Sequence, residues 1–139
     1  MSDYEEQEKR IAKILGSKAV PSVNRKTLRK FQDHLKKNLV LPCSLTGIDD
    51  FPWEERFVFG FGSKAEYKRL KKTRPSYTDT FELFNIDEVD PDDGIVAVVK
   101  RVSDKKEFAL PLADLEATVK ESKNYQLLDD YSVWFVNYR

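Results

Sequence analysis

The sequence predicts an α+β fold in which two N-terminal helices precede a small antiparallel, partly open β-barrel interrupted by one inserted helix. Three observations carry that expectation. Apolar residues recur at helical spacing over the first 40 residues. Beyond them, short β-prone runs alternate with Gly, Pro and Asp turn signals. The length, 139 residues, suits one compact domain with a short appendage.

The elements follow in order. Residues 3–15 place Tyr4, Ile11 and Leu15 on one helical face with Ile14 beside them, and Gly16 and Pro21 close the helix. Leu28, Phe31, Leu35 and Leu39 then mark a second helix, with Ser22 or Asn24 as N-cap and Pro42 as its end. Its other faces carry Arg25, Lys26, Arg29, Lys30, Lys36 and Lys37. Residues 40–48 read as a short strand, 49–55 as an acidic turn bearing Phe51 and Trp53, and 56–61 as a strand. Ser63 caps a third helix over 64–73, which Pro75 ends. Strands are expected at 78–86, 94–103 and 107–111, a helical turn at 114–119, and a closing strand at 131–138. The hairpin over 94–116, with its Asp104-Lys105-Lys106 turn, resembles that of SH3-like barrels. The organisation is therefore a basic helical segment, residues 1–40, followed by a barrel domain, residues 41–139.

Composition excludes several function classes. Hydrophobic residues make up 40% and charged residues 35%, a soluble balance with a highly charged skin. No apolar run approaches the ~18–20 residues of a membrane span, so no membrane is expected among the partners. The start, Met1-Ser2-Asp3-Tyr4-Glu5-Glu6, lacks the basic and apolar regions of a secretory signal, and a cytoplasmic location is expected. One cysteine, Cys43, and one histidine, His34, leave too few ligands for structural zinc and no imidazole partner for a nucleophile. Cys43 reads as a small buried hydrophobe, His34 as a surface or boundary residue, and the chain is not expected to be an enzyme.

The charges are segregated. Residues 1–75 hold 17 basic and 10 acidic side chains, whereas 76–139 hold 7 and 14. Over 76–99 there are seven acids and no Lys or Arg, a density that self-repulsion disfavours unless positive charge lies close. Two clusters supply oxygen ligands of the kind calcium takes. Asp49, Asp50, Glu54 and Glu55 flank a Phe-Pro-Trp wedge that could fold them toward one point. Asp87, Glu88, Asp90, Asp92 and Asp93 crowd the second. That loop is not an EF-hand: with Gly94 at loop position 6, Val89, Pro91 and Lys100 fall where ligands are required. Gly60-Phe61-Gly62-Ser63-Lys64-Ala65 has the outline of a dinucleotide-binding turn, but the helix after it lacks the apolar stripe a parallel sheet demands, and a glycine-permitted corner is the preferred reading. Tyr125, Tyr131, Trp134, Phe135 and Tyr138 are read as core in preference to a peptide groove.

With these residues in hand, the chain resembles a small bacterial family of calcium-binding proteins, the heterocyst-linked type of cyanobacteria. The resemblance runs over roughly residues 41–138. It rests on Leu41-Pro42-Cys43-Ser44-Leu45-Thr46-Gly47-Ile48-Asp49-Asp50-Phe51, on Trp53-Glu54-Glu55, on Thr73-Arg74-Pro75-Ser76-Tyr77-Thr78-Asp79, on the 94–116 hairpin and on Leu127-Leu128-Asp129-Asp130-Tyr131. It implies calcium binding by carboxylates outside any EF-hand, in a buffer or a sensor. Asp49, Asp50, Glu54 and Glu55 carry over as candidate ligands, with Asp79 beside them across neighbouring strands. Asp87, Asp90, Asp92 and Asp93 make a second candidate site. The acidic balance that the resemblance associates with the cyanobacterial member is not shared by this chain, whose basic appendage makes it neutral. The alternative is an interaction module whose basic arm holds a protein or, less in keeping with the absence of any recognisable nucleic-acid motif, a nucleic acid.

Overall fold

The computed structural model describes residues 2–139. It is an α+β protein: α1 (Asp3–Ile14), α2 (Arg25–Asn38), β1 (Ser44–Gly47), a 3-10 turn (Pro52–Glu54), α3 (Glu55–Val58), α4 (Lys64–Leu70), β2 (Phe81–Asp90), β3 (Gly94–Arg101), β4 (Glu107–Pro111), a second 3-10 turn (Leu112–Asp114), β5 (Leu115–Ala117) and α5 (Lys123–Asn137). The strands form one antiparallel sheet in the order β4-β3-β2-β1-β5. The sheet is open, since β4 and β5 are its unjoined edges. Two register shifts in β2, between Leu83 and Asn85 and between Asn85 and Glu88, interrupt its ladder with β3.

The helices begin where their caps dictate. Ser2 accepts from the Glu5 N–H at 3.2 Å, and Asn24 closes a reciprocal capping box with Thr27. One core joins both ends of the chain. Ile11, Leu15, Leu28, Phe31 and Leu35 from α1, α2 and the residue after α1 pack with Phe81, Ile95, Val99, Leu115, Leu128, Tyr131 and Trp134. Phe31 stacks on Trp134 with ring centroids 5.1 Å apart. At the turn into β3 the backbone passes so close to α5 that only glycine fits. Gly94 has φ of +72°, and a Cβ there would lie 2.5 Å from the Phe135 ring.

Three expectations are corrected. Residues 56–61 are not a strand: Pro52 opens the 3-10 turn, the chain continues as α3, and Phe57 stacks on Tyr67 of α4. Residues 131–138 are not a strand but the second half of α5. Leu127, Leu128, Tyr131, Trp134 and Phe135 repeat at helical spacing, and Ser122 caps the start by accepting from the Tyr125 N–H at 3.1 Å. The expected helical turn at 114–119 is β5, in which buried Leu115 and Ala117 alternate with Glu116. The glycine pair Gly60 and Gly62 takes positive φ as anticipated, but it joins two helices instead of a strand and a helix. Tyr131, Trp134 and Phe135 are core, as is Cys43, and burial pushes the Cys43 thiol up to about 11.

Candidate metal centre

Pro52 divides the first acidic stretch. Asp49 and Asp50 lie before the 3-10 turn, and Glu55 follows it as the first residue of α3. The Ile48 N–H donates to the Asp114 backbone carbonyl at 3.0 Å, which stitches this loop to the turn before β5. The Ser132 hydroxyl donates to the Ala113 carbonyl at 2.7 Å and so holds α5 against the same turn. These three segments enclose an open cleft of about 500 Å3, lined by the carboxylates of Asp49, Asp50, Glu55, Asp114 and Asp129 and, among the described residues, by no Lys or Arg. Burial, and then the charge of Asp93, push the Asp114 carboxyl above its usual range. Asp129 accepts from Gln7 Nε2 at 3.0 Å.

Glu54 lies elsewhere. It is fully buried. Oε2 accepts from Tyr67 Oη at 2.6 Å and Ser76 Oγ at 2.7 Å, and Oε1 from the N–H groups of Tyr77 at 2.8 Å and Phe51 at 3.3 Å. Burial and the bond to Glu54 push the Tyr67 phenol up to about 12. Asp79 accepts from the Ser76 N–H at 2.9 Å and from Arg101 Nη1 at 3.1 Å. Asp87 pairs with Lys36 at 2.6 Å. Asp90 accepts from the N–H groups of Asp92 and Asp93 at 2.8 and 2.9 Å, bonds that hold its carboxyl below the usual range and shape the β2–β3 turn. Asp92 and Asp93 are exposed at that turn. The fold thus sets Asp49, Asp50 and Glu55 along one cleft, ties Glu54 and Asp79 into a polar network around Ser76, and leaves Asp87, Asp90, Asp92 and Asp93 along the end of the β2–β3 hairpin. Among the described residues, no three His, Cys, Asp or Glu side chains stand close enough together to hold a metal ion by themselves.

A family model described as calcium binding matches residues 53–135, well over half of the chain. The chain belongs to this calcium-binding family. No curated protein and no solved structure matches it. Calcium is the ion the family assigns, and the acidic residues that line the cleft are of the type it takes, carboxylates with no thiolate or imidazole among them. The matched stretch includes Glu55, Asp114 and Asp129, while Asp49 and Asp50 lie just before it.

Asp114 and Asp129 were missed by sequence reasoning, because they stand far along the chain from the Asp49–Glu55 cluster. The Asp129-Asp130 pair within Leu127–Tyr131 was the available signal for one of them. The second member of that pair turns inward instead. Asp130 is buried and accepts from Arg10 Nε and Nη2 at 3.1 and 3.0 Å. Arg101, the buried partner of Asp79, was missed as well, since nothing in a strand pattern distinguishes a buried arginine from an exposed one.

Proposed function

We propose that the protein binds calcium in the cleft between the loop after β1, the turn before β5 and α5, through Asp49, Asp50, Glu55, Asp114 and Asp129. The observation that carries this reading is five carboxylates lining one cleft with no Lys or Arg among the described residues that line it. A divalent ion there offsets the burial that disfavours the charged form of half-buried Asp114. The hairpin acids Asp90, Asp92 and Asp93 add to the attracting field, while Asp79 and Asp87 stay with Arg101 and Lys36. We read the protein as a sensor in preference to a buffer. The carboxylates come from three segments separated in sequence, so an ion bridging them acts on how those segments sit together. The scaffold is read as an SH3-like, partly open barrel. Its strand order, the 3-10 turn before β5 and the long excursion between β1 and β2 support that reading.

Calorimetric titration of calcium into the wild type, Glu55→Ala and Asp114→Asn tests the site. Each variant is expected to bind roughly tenfold to a hundredfold more weakly. Titrations indistinguishable from wild type in both variants would place the ion elsewhere.

A further inference from the structure

The corner between α3 and α4 carries an apolar tip that calcium binding leaves unused. Val58, Phe59 and Phe61 are 44%, 72% and 70% exposed. The tip is built and not loose. The N–H groups of Phe59, Gly60 and Phe61 donate to the carbonyls of Glu55, Phe57 and Arg56 at 3.0, 3.1 and 2.7 Å. Gly62, with φ of +82°, packs so closely on Phe57 that a Cβ would lie 2.8 Å from its ring. Behind the tip, Phe57 and Tyr67 stack with centroids 4.9 Å apart and planes 5° apart, and Trp53 meets both rings edge-on. Residues 56–74 hold seven Lys or Arg against one acid, Glu66. Lys64, Lys68, Arg69 and Lys72 are exposed among them.

We propose that this tip docks the protein peripherally on an anionic lipid bilayer. Phe59 and Phe61 enter the interfacial region, and Lys64, Lys68, Arg69 and Lys72 meet the headgroup phosphates. Large apolar side chains held in water on a segment rich in exposed cations are the two ingredients of interfacial binding, one gaining from apolar burial and the other from the negative surface potential. No helix among the described residues is long and apolar enough to cross a membrane. Single-stranded nucleic acid has the same charge but fits less well. Phe59 and Phe61 offer faces on which a base can stack, but Val58 has none, the Trp53, Phe57 and Tyr67 rings already cover one another, and residues 56–74 contain no Asn, Gln or His to read base edges.

The test is co-sedimentation of the full chain with vesicles of phosphatidylcholine containing one third phosphatidylglycerol, and with pure phosphatidylcholine. Chelator is present throughout, so the outcome is independent of the calcium site. The chain is expected to sediment with the anionic vesicles only. Phe59→Ser/Phe61→Ser should lower the partition coefficient about tenfold or more with an unchanged melting curve. Lys68→Glu/Lys72→Glu should weaken it comparably, and added salt should too. Failure to sediment with anionic vesicles overturns the proposal, as does binding that the double phenylalanine variant leaves intact. Phenylalanine-dependent binding of an oligothymidylate without vesicle binding would assign the tip to nucleic acid instead.

Discussion

Glu54 accepts four hydrogen bonds inside the protein, while Glu55, the next residue, faces the open cleft. Identical chemistry therefore gives opposite mutational signatures. Glu54→Ala strands two hydroxyls and two N–H groups around a buried void, and urea denaturation is expected to show a loss of about 3–5 kcal/mol. Glu55→Ala should stay within about 0.5 kcal/mol of wild type in the absence of calcium. An alanine at position 54 that leaves stability untouched would refute the network described for it. At this scale the sequence announced that both residues are carboxylates near an aromatic wedge. It did not announce which of them turns inward, because that depends on Tyr67, Ser76 and Tyr77 arriving from other segments.

Among the elements, one buried side chain makes most of the side-chain bonds to the carbonyls of residues 71–74, the segment after α4. Arg101, 3% exposed at the end of β3, donates to the carbonyls of Lys71, Lys72 and Arg74 at 3.0, 2.8 and 2.8 Å and to the carboxylates of Asp79 and Asp104. Arg101→Met removes the buried donor that three carbonyls and two carboxylates share, although Asp79, Asp104 and the Lys72 carbonyl each keep a second donor, and a loss of about 3–5 kcal/mol is expected in urea. A loss below about 1 kcal/mol would show that the clamp is dispensable. The hydrogen bond from Arg101 holds the Asp104 carboxyl down at about 2. A depressed acid stabilises the native state above its unfolded value near 3.8 and loses that contribution as pH falls through about 2. Asp104→Asn should therefore shallow the fall in melting temperature across that acid window and leave the curve's neutral limb parallel to wild type. An unchanged acid limb would contradict the pairing. Periodicity made α1, α2, β3 and β4 legible, since each shows its burial pattern in its own residues. α5 was obscured because Val133, Trp134, Phe135 and Val136 are all β-prone locally, although the buried set from Leu127 to Phe135 has the helical period.

Across the whole molecule, the basic and acidic halves of the chain face one another. Arg10 of α1 pairs with Asp130 of α5 at 3.0 Å, and Lys36 of α2 pairs with Asp87 of β2 at 2.6 Å. Beneath those contacts α1 and α2 fill the core that α5 and the sheet share. Deleting residues 1–40 uncovers Tyr131 and Trp134 and removes the stack with Phe31, so the remainder is expected to lose near-ultraviolet ellipticity and amide dispersion. A shortened chain that keeps a native spectrum would show that the sheet and α5 suffice. Sequence by itself determined the helical caps, the alternation of the central strands, the segregation of charge and the carboxylate chemistry suited to calcium, because each is written in neighbouring residues. Only the tertiary structure decided that Asp114 and Asp129 line the same cleft as Asp49, Asp50 and Glu55, and that Glu54 and Asp79 serve the interior. The physical reason is that a cleft is the sum of side chains from distant segments, and packing sets which way each one points.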